Sequence, residues 1–437
     1  MARKRREPET AAIVSVTHDG RGIADVTGKK VFVAGALEGE TVRFQRRKRR
    51  RNFDEAELLE VLDASPSRIE PRCAVFGTCG GCSLQHVSDA DQRAIKARAL
   101  ADNLERIGKV TPANWLDPIH ATDGWHYRRR ARLAVKDVPA KGRVLVGFRE
   151  SHAPYVCDMH RCEVLAKPID GLIDPLSDLI GGLSIRARLP QVEVAVADNV
   201  SSLVFRVLDP PTDGDLAALR AVANRYQVQV ALQPGGPDSV EMLAGNVPLN
   251  YSLPAFSVDI EFRATDFVQV NSEVNREMVC RAIDLLEVTV EHRVLDLYCG
   301  IGNFSLPLAR RAAHVLGVEG EVQQVARARL NAGRNAIENC EFRQADLAAI
   351  DGSESWLREG WDRVLLDPAR SGAQELVSVI DRTGTERLVY VSCHPGTLSR
   401  DAGHLVHDKG FALEAAGIID MFPHTGHVES IAVFQKR

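Results

Sequence analysis

The stretch RVLDLYCGIGNF, residues 293–304, gives the strongest indication of how the C-terminal part of the chain folds. An apolar, β-rich run passes into a turn that contains Gly300 and Gly302, and a helical stretch follows. This order is typical of a buried strand whose carboxyl end meets a ligand, because glycine lets a ligand approach the backbone closely. The stretch therefore predicts a cofactor site at the edge of an α/β sheet.

Four further β-rich runs alternate with helical stretches after this turn. They are HVLGVE (314–319), CEFRQAD (340–346), RVLLDP (363–368) and RLVYVSC (387–393). Such alternation predicts an α/β fold with a mostly parallel, doubly wound sheet. A last pair of β-rich runs, residues 411–419 and 428–434, is joined by a short loop. This ending is typical of class I methyltransferases rather than of a plain Rossmann domain.

Three carboxylates end predicted strands at the edge where ligands bind in parallel sheets. Glu319 ends the strand after the glycine turn, where a carboxylate accepts hydrogen bonds from ribose hydroxyls, and Asp346 and Asp367 end the next two strands. A nicotinamide dinucleotide is the competing ligand. The pattern G-x-G-N-F lacks the third glycine that brings a helix against a pyrophosphate, so the sequence fits S-adenosylmethionine better.

One cysteine and one glutamate are the candidate catalytic residues. Cys393 follows the fifth β-rich run, at the same sheet edge as the glycine turn, and Pro395 opens a predicted helix beside it. A helix N-terminus lowers the pKa of a thiol and favours the thiolate, although a lone cysteine after a strand is more often a buried apolar residue. Glu429 lies at the start of the last strand, with His424 and His427 close by.

The first 51 residues carry 14 lysines and arginines against six acidic residues, although the whole chain has a net charge of −4. Most of this charge lies in the run RRKRRR, residues 46–51, which predicts binding to nucleic acid; a solvated run without a ligand is the alternative. Short β-rich runs with glycine turns between residues 12 and 70 predict a small β-barrel. The pattern resembles the TRAM domain, an OB-like RNA-binding barrel.

A cysteine cluster follows the predicted barrel. Cys73, Cys79 and Cys82 give the spacing C-x5-C-x2-C. A closed site needs a fourth ligand, for which Cys157 and Cys162 are the candidates. Four thiolates suit zinc and a [4Fe-4S] cluster alike, so the spacing alone leaves the metal open.

Three domains are predicted from these segments. They are the barrel in residues 1–70, a central α+β domain with the cysteine site in residues 71–262, and the α/β sheet in residues 263–437. Within the central domain, residues 89–107 predict a helix whose buried face includes Ile107. No apolar run approaches the roughly 18 residues of a membrane span, so we expect a cytoplasmic protein without a membrane segment.

Five motifs, in this order along the chain, resemble those of the RNA uracil-C5 methyltransferases. They are FVQVN (267–271), DLYCGIGNF (296–304), LLDPAR (365–370), VSCHPGTLSRD (391–401) and MFPHTGHVES (421–430). The cysteine cluster and the N-terminal barrel make the chain most similar to the branch of this family that acts on ribosomal RNA. The resemblance covers essentially the whole chain.

The resemblance implies a role for each site residue. Cys393 is the implied nucleophile that adds to C6 of uracil, and Glu429 is the implied general base. The implied S-adenosylmethionine site consists of Gln269, Tyr298, Asn303, Glu319, Asp346 and Asp367. The implied ligands of a [4Fe-4S] cluster are Cys73, Cys79, Cys82 and Cys162.

The resemblance also implies a reaction. A methyl group passes from S-adenosylmethionine to C5 of a specific uridine in 23S rRNA, with uridine 1939 the expected one, and we expect the enzyme to be a monomer. The same chemistry on another rRNA uridine or on tRNA is an alternative, although the related tRNA enzyme typically lacks the barrel and the cysteine cluster. From a different class of function, an iron–sulfur RNA-binding or RNA-folding factor is a further alternative.

Overall fold

A closed five-stranded barrel begins the part of the chain that the computed structural model describes, residues 7–437, so the first six residues of the predicted barrel domain lie outside the described residues. Its strands are β1 (Glu9–Val16), β2 (Arg21–Val26), β3 (Lys29–Ala34), β4 (Thr41–Arg49) and β5 (Phe53–Asp63). They close in the order β1-β2-β3-β5-β4, with β1 paired to β4. Val31, Val33, Val42 and Phe44 fill the interior and are completely buried. The predicted barrel is confirmed.

The basic run at the end of β4 is largely paired with carboxylates. Arg46, whose side chain is only 8% exposed, forms ion pairs with Glu9 and Asp54. Arg47 pairs with Glu57 on β5, and three more cations of the run lie within 4.0 Å of a β5 carboxylate. Arg46 therefore belongs to the barrel itself, and the run offers a polyanion less free charge than its sequence indicates.

The middle of the chain begins with helix α1 (Asp89–Asn103) and the short strand β6 (Asn114–Trp115). A six-stranded sheet follows in the order β12-β11-β10-β9-β7-β8, beside a two-stranded sheet of β13 and β14. These strands are β7 (Arg130–Val138), β8 (Arg143–Gly147), β9 (Gln191–Val196), β10 (Ser201–Arg206), β11 (Val228–Gln233), β12 (Glu241–Ala244), β13 (Leu249–Leu253) and β14 (Val258–Phe262). Helix α2 (Ile173–Gly182) packs on β8, and helix α3 (Asp213–Tyr226) packs on β11.

The C-terminal part forms an eight-stranded sheet in the order β17-β16-β15-β18-β19-β21-β20-β6. Its remaining strands are β15 (Arg293–Leu297), β16 (His314–Glu319), β17 (Cys340–Gln344), β18 (Arg363–Leu366), β19 (Arg387–Ser392), β20 (Phe411–Ile419) and β21 (Glu429–Lys436). The helices are α4 (Ser272–Leu286), α5 (Ser305–Ala309), α6 (Val322–Arg334), α7 (Gln374–Val379) and α8 (Pro395–His407). Strands β15 to β19 are parallel, and β21 runs antiparallel between β19 and β20. The predicted α/β sheet and its hairpin-like ending are confirmed.

The edge strand of this sheet comes from the middle of the chain. Asn114 and Trp115 of β6 pair in parallel with Ala415 and Ala416 of β20. The eight-stranded sheet thus includes residues that lie within the predicted central domain, and the domain boundaries stay a prediction. No helix within residues 7–437 is long and apolar enough to cross a bilayer.

The helical stretch predicted over residues 89–107 is present, but its last turn is not α-helical. Helix α1 passes into a turn of π-helix over Leu104–Gly108, and Ile107 is 51% exposed. The wider turn places Gly108 instead against α8, where a Cβ would lie 2.4 Å from the carbonyl oxygen of Ser399. The prediction of a buried Ile107 is therefore wrong, because regular helical spacing does not continue through this turn.

Asp54 makes the stability of the barrel depend on pH. Burial raises the pKa of this carboxyl, but hydrogen bonds from Lys29 and Arg46 outweigh burial and hold the pKa at about 2, below the ordinary value of 3.8. A depressed carboxyl pKa stabilises the folded state above pH 3.8, and this contribution is lost as the pH falls toward 2. We expect Asp54→Asn to lower the free energy of unfolding at pH 7 and to flatten its pH dependence between about 4 and 2.

Urea denaturation of the whole protein, followed over this pH range, measures the effect. Asp25→Asn is the matched control, because Asp25 forms a solvent-exposed ion pair with Lys30 on the same barrel. We expect the control to change the free energy of unfolding little, since exposed ion pairs contribute at most about 1 kcal/mol. An Asp54→Asn protein with the wild-type acid dependence contradicts the prediction.

Candidate active site

A cavity of about 500 Å³ opens at the carboxyl ends of β15, β16, β18 and β19. Parallel pairing carries these four strand ends to one edge of the sheet, where ligands bind in such folds. Seven of the eight catalytic and cofactor-binding residues predicted from the sequence line it. They are Gln269, Tyr298, Asn303, Glu319, Asp367, Cys393 and Glu429.

The glycine turn forms one wall of the cavity. Gly300 and Gly302 have φ angles of 56° and 98°, a region that favours glycine, and Tyr298 just before them has a φ of 64°. Glu319 fixes this turn, because its carboxylate accepts the backbone N–H of Gly300 at 3.1 Å and that of Glu321 at 3.0 Å. Each carboxylate oxygen keeps a further lone pair for a ligand hydroxyl.

Asn303 is tied to residues that the sequence analysis did not identify. Its Oδ1 accepts hydrogen bonds from the Tyr251 hydroxyl at 2.9 Å and from Asn275 Nδ2 at 3.0 Å, and its own Nδ2 donates to Asn275 Oδ1 at 2.9 Å. This amide pair joins the glycine turn to α4. No local pattern points to Tyr251 or Asn275, because both lie far from Asn303 in the chain.

Asp346 is the predicted residue that does not line the cavity. It is exposed just beyond the end of β17, and its Oδ1 accepts the backbone N–H of Ala348 at 3.0 Å. The strand end is where the sequence places it, but the side chain caps its own turn. Its part in cofactor binding stays a prediction.

The electrostatics around Cys393 differ from the expectation. Burial and the charges of Glu429 and Asp367 raise the pKa of this thiol to about 11, and nearby Arg370 offsets them only partly. The prediction of a lowered pKa is wrong for the protein without ligands. At the N-terminus of α8, His394 is the N-cap and accepts the backbone N–H of Thr397.

Glu429 is buried, 6% exposed, at the first position of β21. His427 Nε2 lies 3.4 Å from its carboxylate, and the other ring nitrogen of His427 lies 3.3 Å from the guanidinium of Arg370. Burial, together with the charge of Glu429 and of the buried Asp296, raises the pKa of Asp367 well above its ordinary value. The cavity thus joins a thiol, the Asp367 carboxyl group, whose raised pKa favours its protonated form, and a second carboxyl group, that of Glu429.

The cysteine cluster lies apart from this cavity. Four cysteines line a second, narrow cavity, namely Cys73, Cys79, Cys82 and Cys162. Cys157 lies outside that lining and is a hydrogen-bond partner of Cys79. Within residues 7–437, no group of three or more His, Cys, Asp or Glu side chains is arranged to hold a metal ion. The four thiols therefore share a cavity without the close spacing of a single-ion site, and the iron–sulfur cluster stays a prediction.

Comparison with known proteins agrees with the geometry of the site. The model of the tRNA (uracil-5-)-methyltransferase family matches residues 115–437. A protein of Alkalilimnicola ehrlichii named 23S rRNA (uracil(1939)-C(5))-methyltransferase RlmD is 50% identical over 442 residues, which is 100% of this chain and 99% of that protein. A protein of the same name from Stenotrophomonas maltophilia is 47% identical over 445 residues, covering 100% of both chains.

Among solved structures, the fold is similar to that of the Pyrococcus abyssi tRNA (uracil-54, C5)-methyltransferase in complex with S-adenosyl-L-homocysteine. The TM-score is 0.76, the sequence identity is 22%, and the match covers 97% of this chain and 99% of that chain. The shared architecture agrees with the family match and with the full-length relatives. On this basis the chain belongs to the tRNA (uracil-5-)-methyltransferase family.

Proposed function

We propose that this protein transfers a methyl group from S-adenosylmethionine to C5 of a uridine in 23S rRNA, with uridine 1939 the expected position, and produces 5-methyluridine. The names of relatives that are 47–50% identical over the whole chain support the choice of substrate. The observation that carries the chemistry is that Cys393, Glu429 and the glycine turn face one cavity of about 500 Å³.

The proposed reaction needs an enzyme nucleophile because C5 of uracil is itself too weakly nucleophilic to accept a methyl group unaided. The Cys393 thiolate adds to C6, and the electron pair of the C5=C6 bond moves toward O4 and makes C5 carbanion-like. C5 then attacks the methyl group of S-adenosylmethionine, and S-adenosylhomocysteine leaves. Glu429 removes the proton from C5, the C5=C6 bond forms again, and the thiolate is released.

The raised pKa of Cys393 suggests that the cofactor also promotes ionisation of this thiol. A thiol with a pKa of about 11 is protonated at neutral pH, so it needs an additional positive charge nearby to ionise. S-adenosylmethionine supplies both the methyl group and a sulfonium charge when it is bound. We therefore propose that nucleophilic addition depends on prior cofactor binding, with Arg370 adding a fixed positive charge at the cavity.

The cofactor side of the proposal uses the remaining lining residues. Glu319 has free lone pairs for ribose hydroxyls beside the glycine turn, and the raised pKa of Asp367 favours its protonated form, which donates a hydrogen bond. Gln269 and Tyr298 complete the lining, and we keep Asn303 and Asp346 in the proposed set. The thiol is half-buried in a recess, so the target uridine must leave its stack to reach it.

The two catalytic residues are distinguished by the step at which the reaction stops. We expect Cys393→Ala to give neither methylated RNA nor a protein–RNA adduct, because nothing else activates C5. We expect Glu429→Gln to methylate once and then stall, since the C5 proton must leave before the thiolate is expelled. Denaturing gels with a labelled methyl donor should show a stable labelled complex that is lost when Cys393 is also replaced.

Two controls complete this experiment. An RNA with 5-fluorouridine at the target should trap the wild-type protein in the same adduct, because fluorine does not leave as a proton. If Glu429→Gln turns over at the wild-type rate without an adduct, the base is wrongly assigned and His427 is the next candidate. Mapping 5-methyluridine in rRNA and tRNA from cells with and without the protein tests the substrate, and loss of a tRNA modification alone overturns the rRNA assignment.

We propose that the barrel, residues 1–70, binds RNA, and that the protein acts as a monomer on rRNA in the cytoplasm. Support comes from the cations of the basic run that face solvent, among them Arg47, Lys48 and Arg50, each at least half exposed. Their β5 partners are exposed as well, and such ion pairs exchange readily for a phosphate because they are worth little in water.

Neutralising Arg47, Lys48, Arg50 and Arg51 to glutamine should weaken RNA binding and reduce its salt dependence, because fewer counterions are released. Arg46 is left unchanged in this variant, since its loss would remove one of the two close cations, Lys29 and Arg46, that pair with the buried Asp54. Binding isotherms at several salt concentrations measure the slope, and cofactor affinity should be unaltered. An unchanged slope means that the run does not contact RNA.

We also propose that Cys73, Cys79, Cys82 and Cys162 hold a [4Fe-4S] cluster. The shared cavity of these four thiols supports the assignment. Its lining also includes the apolar Phe76, Phe148 and Met159 and the polar Gln85, Arg128 and Glu163. Thiolates are the ligands that such clusters use, and zinc is the competing metal. We propose that the cluster has a structural or RNA-organising role.

Protein purified without oxygen should then be brown and contain about four irons per chain. Cys162→Ser should lose the iron, whereas Cys157→Ser should keep it, because Cys157 lies outside the cavity lining. Metal analysis and the visible absorbance spectrum of the two matched variants give the answer. Stoichiometric zinc in colourless protein overturns the assignment.

A further inference from the structure

The loop of residues 420–428, which we name the base loop, leads directly into Glu429 at the start of β21. The proposed function requires the Glu429 carboxylate to reach the proton on C5 of a uracil ring that is already bonded to Cys393. A general base needs a well-defined position relative to its proton, and a misplacement of about 1 Å costs roughly 100-fold in rate. The side chains that fix the base loop therefore bear on this step.

Helix α1 holds the base loop through two buried side chains. Lys96, which is 0% exposed, forms an ion pair with Asp420 at 2.6 Å and donates a hydrogen bond to the backbone carbonyl of Phe422 at 3.0 Å. One turn earlier, Gln92 Oε1 accepts the backbone N–H of His424 at 2.8 Å. Both residues thus bind the backbone or the first side chain of the base loop, although they lie more than 300 positions away in the chain.

The cysteine segment holds the same loop from another side. The backbone N–H groups of Ser83 and Leu84 both donate to the carbonyl oxygen of His424, at 2.9 Å each. The Ser83 hydroxyl accepts the backbone N–H of Gly426 at 3.1 Å. Ser83 directly follows Cys82, so a single residue connects the cysteine site to the base loop.

Two aromatic side chains and the barrel close the remaining sides. Tyr127 donates its hydroxyl to the carbonyl of Pro423 at 3.1 Å, and the ring of Trp125 stacks on His424 with a centroid distance of 3.9 Å. The turn between β1 and β2 lies against Gly426, where a Cβ would stand 2.5 Å from the Cα of Asp19. Four separate segments of the chain therefore meet on the base loop.

We propose that Ser83, Gln92 and Lys96 are positioning residues that hold the base loop so that Glu429 reaches the proton on C5. The inference rests on the proposed function, in which Glu429 takes that proton, the C5–H electrons form the C5=C6 bond, and the C6–S bond breaks to release the Cys393 thiolate. A buried ion pair such as Lys96–Asp420 is often no more stabilising than apolar residues of similar volume. Its geometric role accounts better for its presence than stability does.

This role has a kinetic signature that a merely structural role lacks. Addition of Cys393 and methyl transfer precede the step that needs Glu429. Displacement of the base loop should therefore slow release after methyl transfer, and a methylated protein–RNA adduct should accumulate. General destabilisation of the fold lowers the amount of active protein without favouring any one intermediate.

The experiment uses the full-length protein and an RNA substrate with a labelled methyl donor. We expect Ser83→Ala and Lys96→Met to lower the turnover rate roughly 10- to 100-fold, to leave S-adenosylmethionine affinity unchanged, and to accumulate denaturation-resistant labelled adduct as Glu429→Gln does. Arg98→Met is the matched control on α1, because Arg98 forms only an exposed ion pair with Glu38. This control should turn over like the wild type without adduct.

A double variant separates position from stability. Lys96→Met leaves Asp420 buried and unpaired, whereas Lys96→Met with Asp420→Asn removes that charge and should recover thermal stability. Adduct that persists in the stable double variant supports the inference, and adduct that disappears with recovered stability overturns it. Slow turnover of Ser83→Ala without adduct overturns it as well. A wild-type protein that methylates no uridine refutes the proposed function instead.

Discussion

The site depends on parallel strand pairing, in which β15 pairs with β16 and β18, and β18 pairs with β19. It carries the carboxyl ends of these strands to one edge of the sheet, so residues from four separate motifs meet without any long loop. The antiparallel strand β21 then brings Glu429 to the same edge from the opposite direction, beside the end of β19. Sheet register thus sets the position of Glu429, the proposed base, relative to Cys393, the proposed nucleophile, and only the approach to β21 needs further support.

The charge balance of the cavity follows from this arrangement. Cys393, Asp367 and Glu429 are all groups that become negative on ionisation, and they share a poorly solvated space, so each charge opposes the others. Such a cavity favours a cation. A sulfonium cofactor meets that requirement. In the proposed reaction, Cys393 is therefore most reactive when the methyl donor is bound.

The sequence predicted the order of strands and helices well, because the alternation of apolar runs with glycine turns is a local signal. Convergence of parallel strand ends also predicted that Glu319, Asp367 and Cys393 lie together, and all three line the cavity. The resemblance of the motifs, and not the strand ends, implied the other lining residues, which are Gln269, Tyr298, Asn303 and Glu429. The sequence did not predict the raised pKa of Cys393, which depends on two carboxyl groups brought close only by folding. The sequence likewise did not predict the pairing of Arg46 with Asp54 or the π turn after α1, because both depend on contacts between segments. The residues around the base loop left no sequence motif for the same reason.

The short strand β6 affects where the chain can be cut without exposing an edge of the eight-stranded sheet. Without Asn114 and Trp115, β20 would become an edge strand, because Ala415 and Ala416 would pair only with β21. An unprotected edge of this kind pairs readily with other chains and promotes aggregation. A fragment that starts at residue 263 would carry this edge, whereas the family match starts at residue 115, inside β6. A fragment that keeps this edge covered therefore includes β6, which lies well inside the segment that precedes the α/β sheet in sequence.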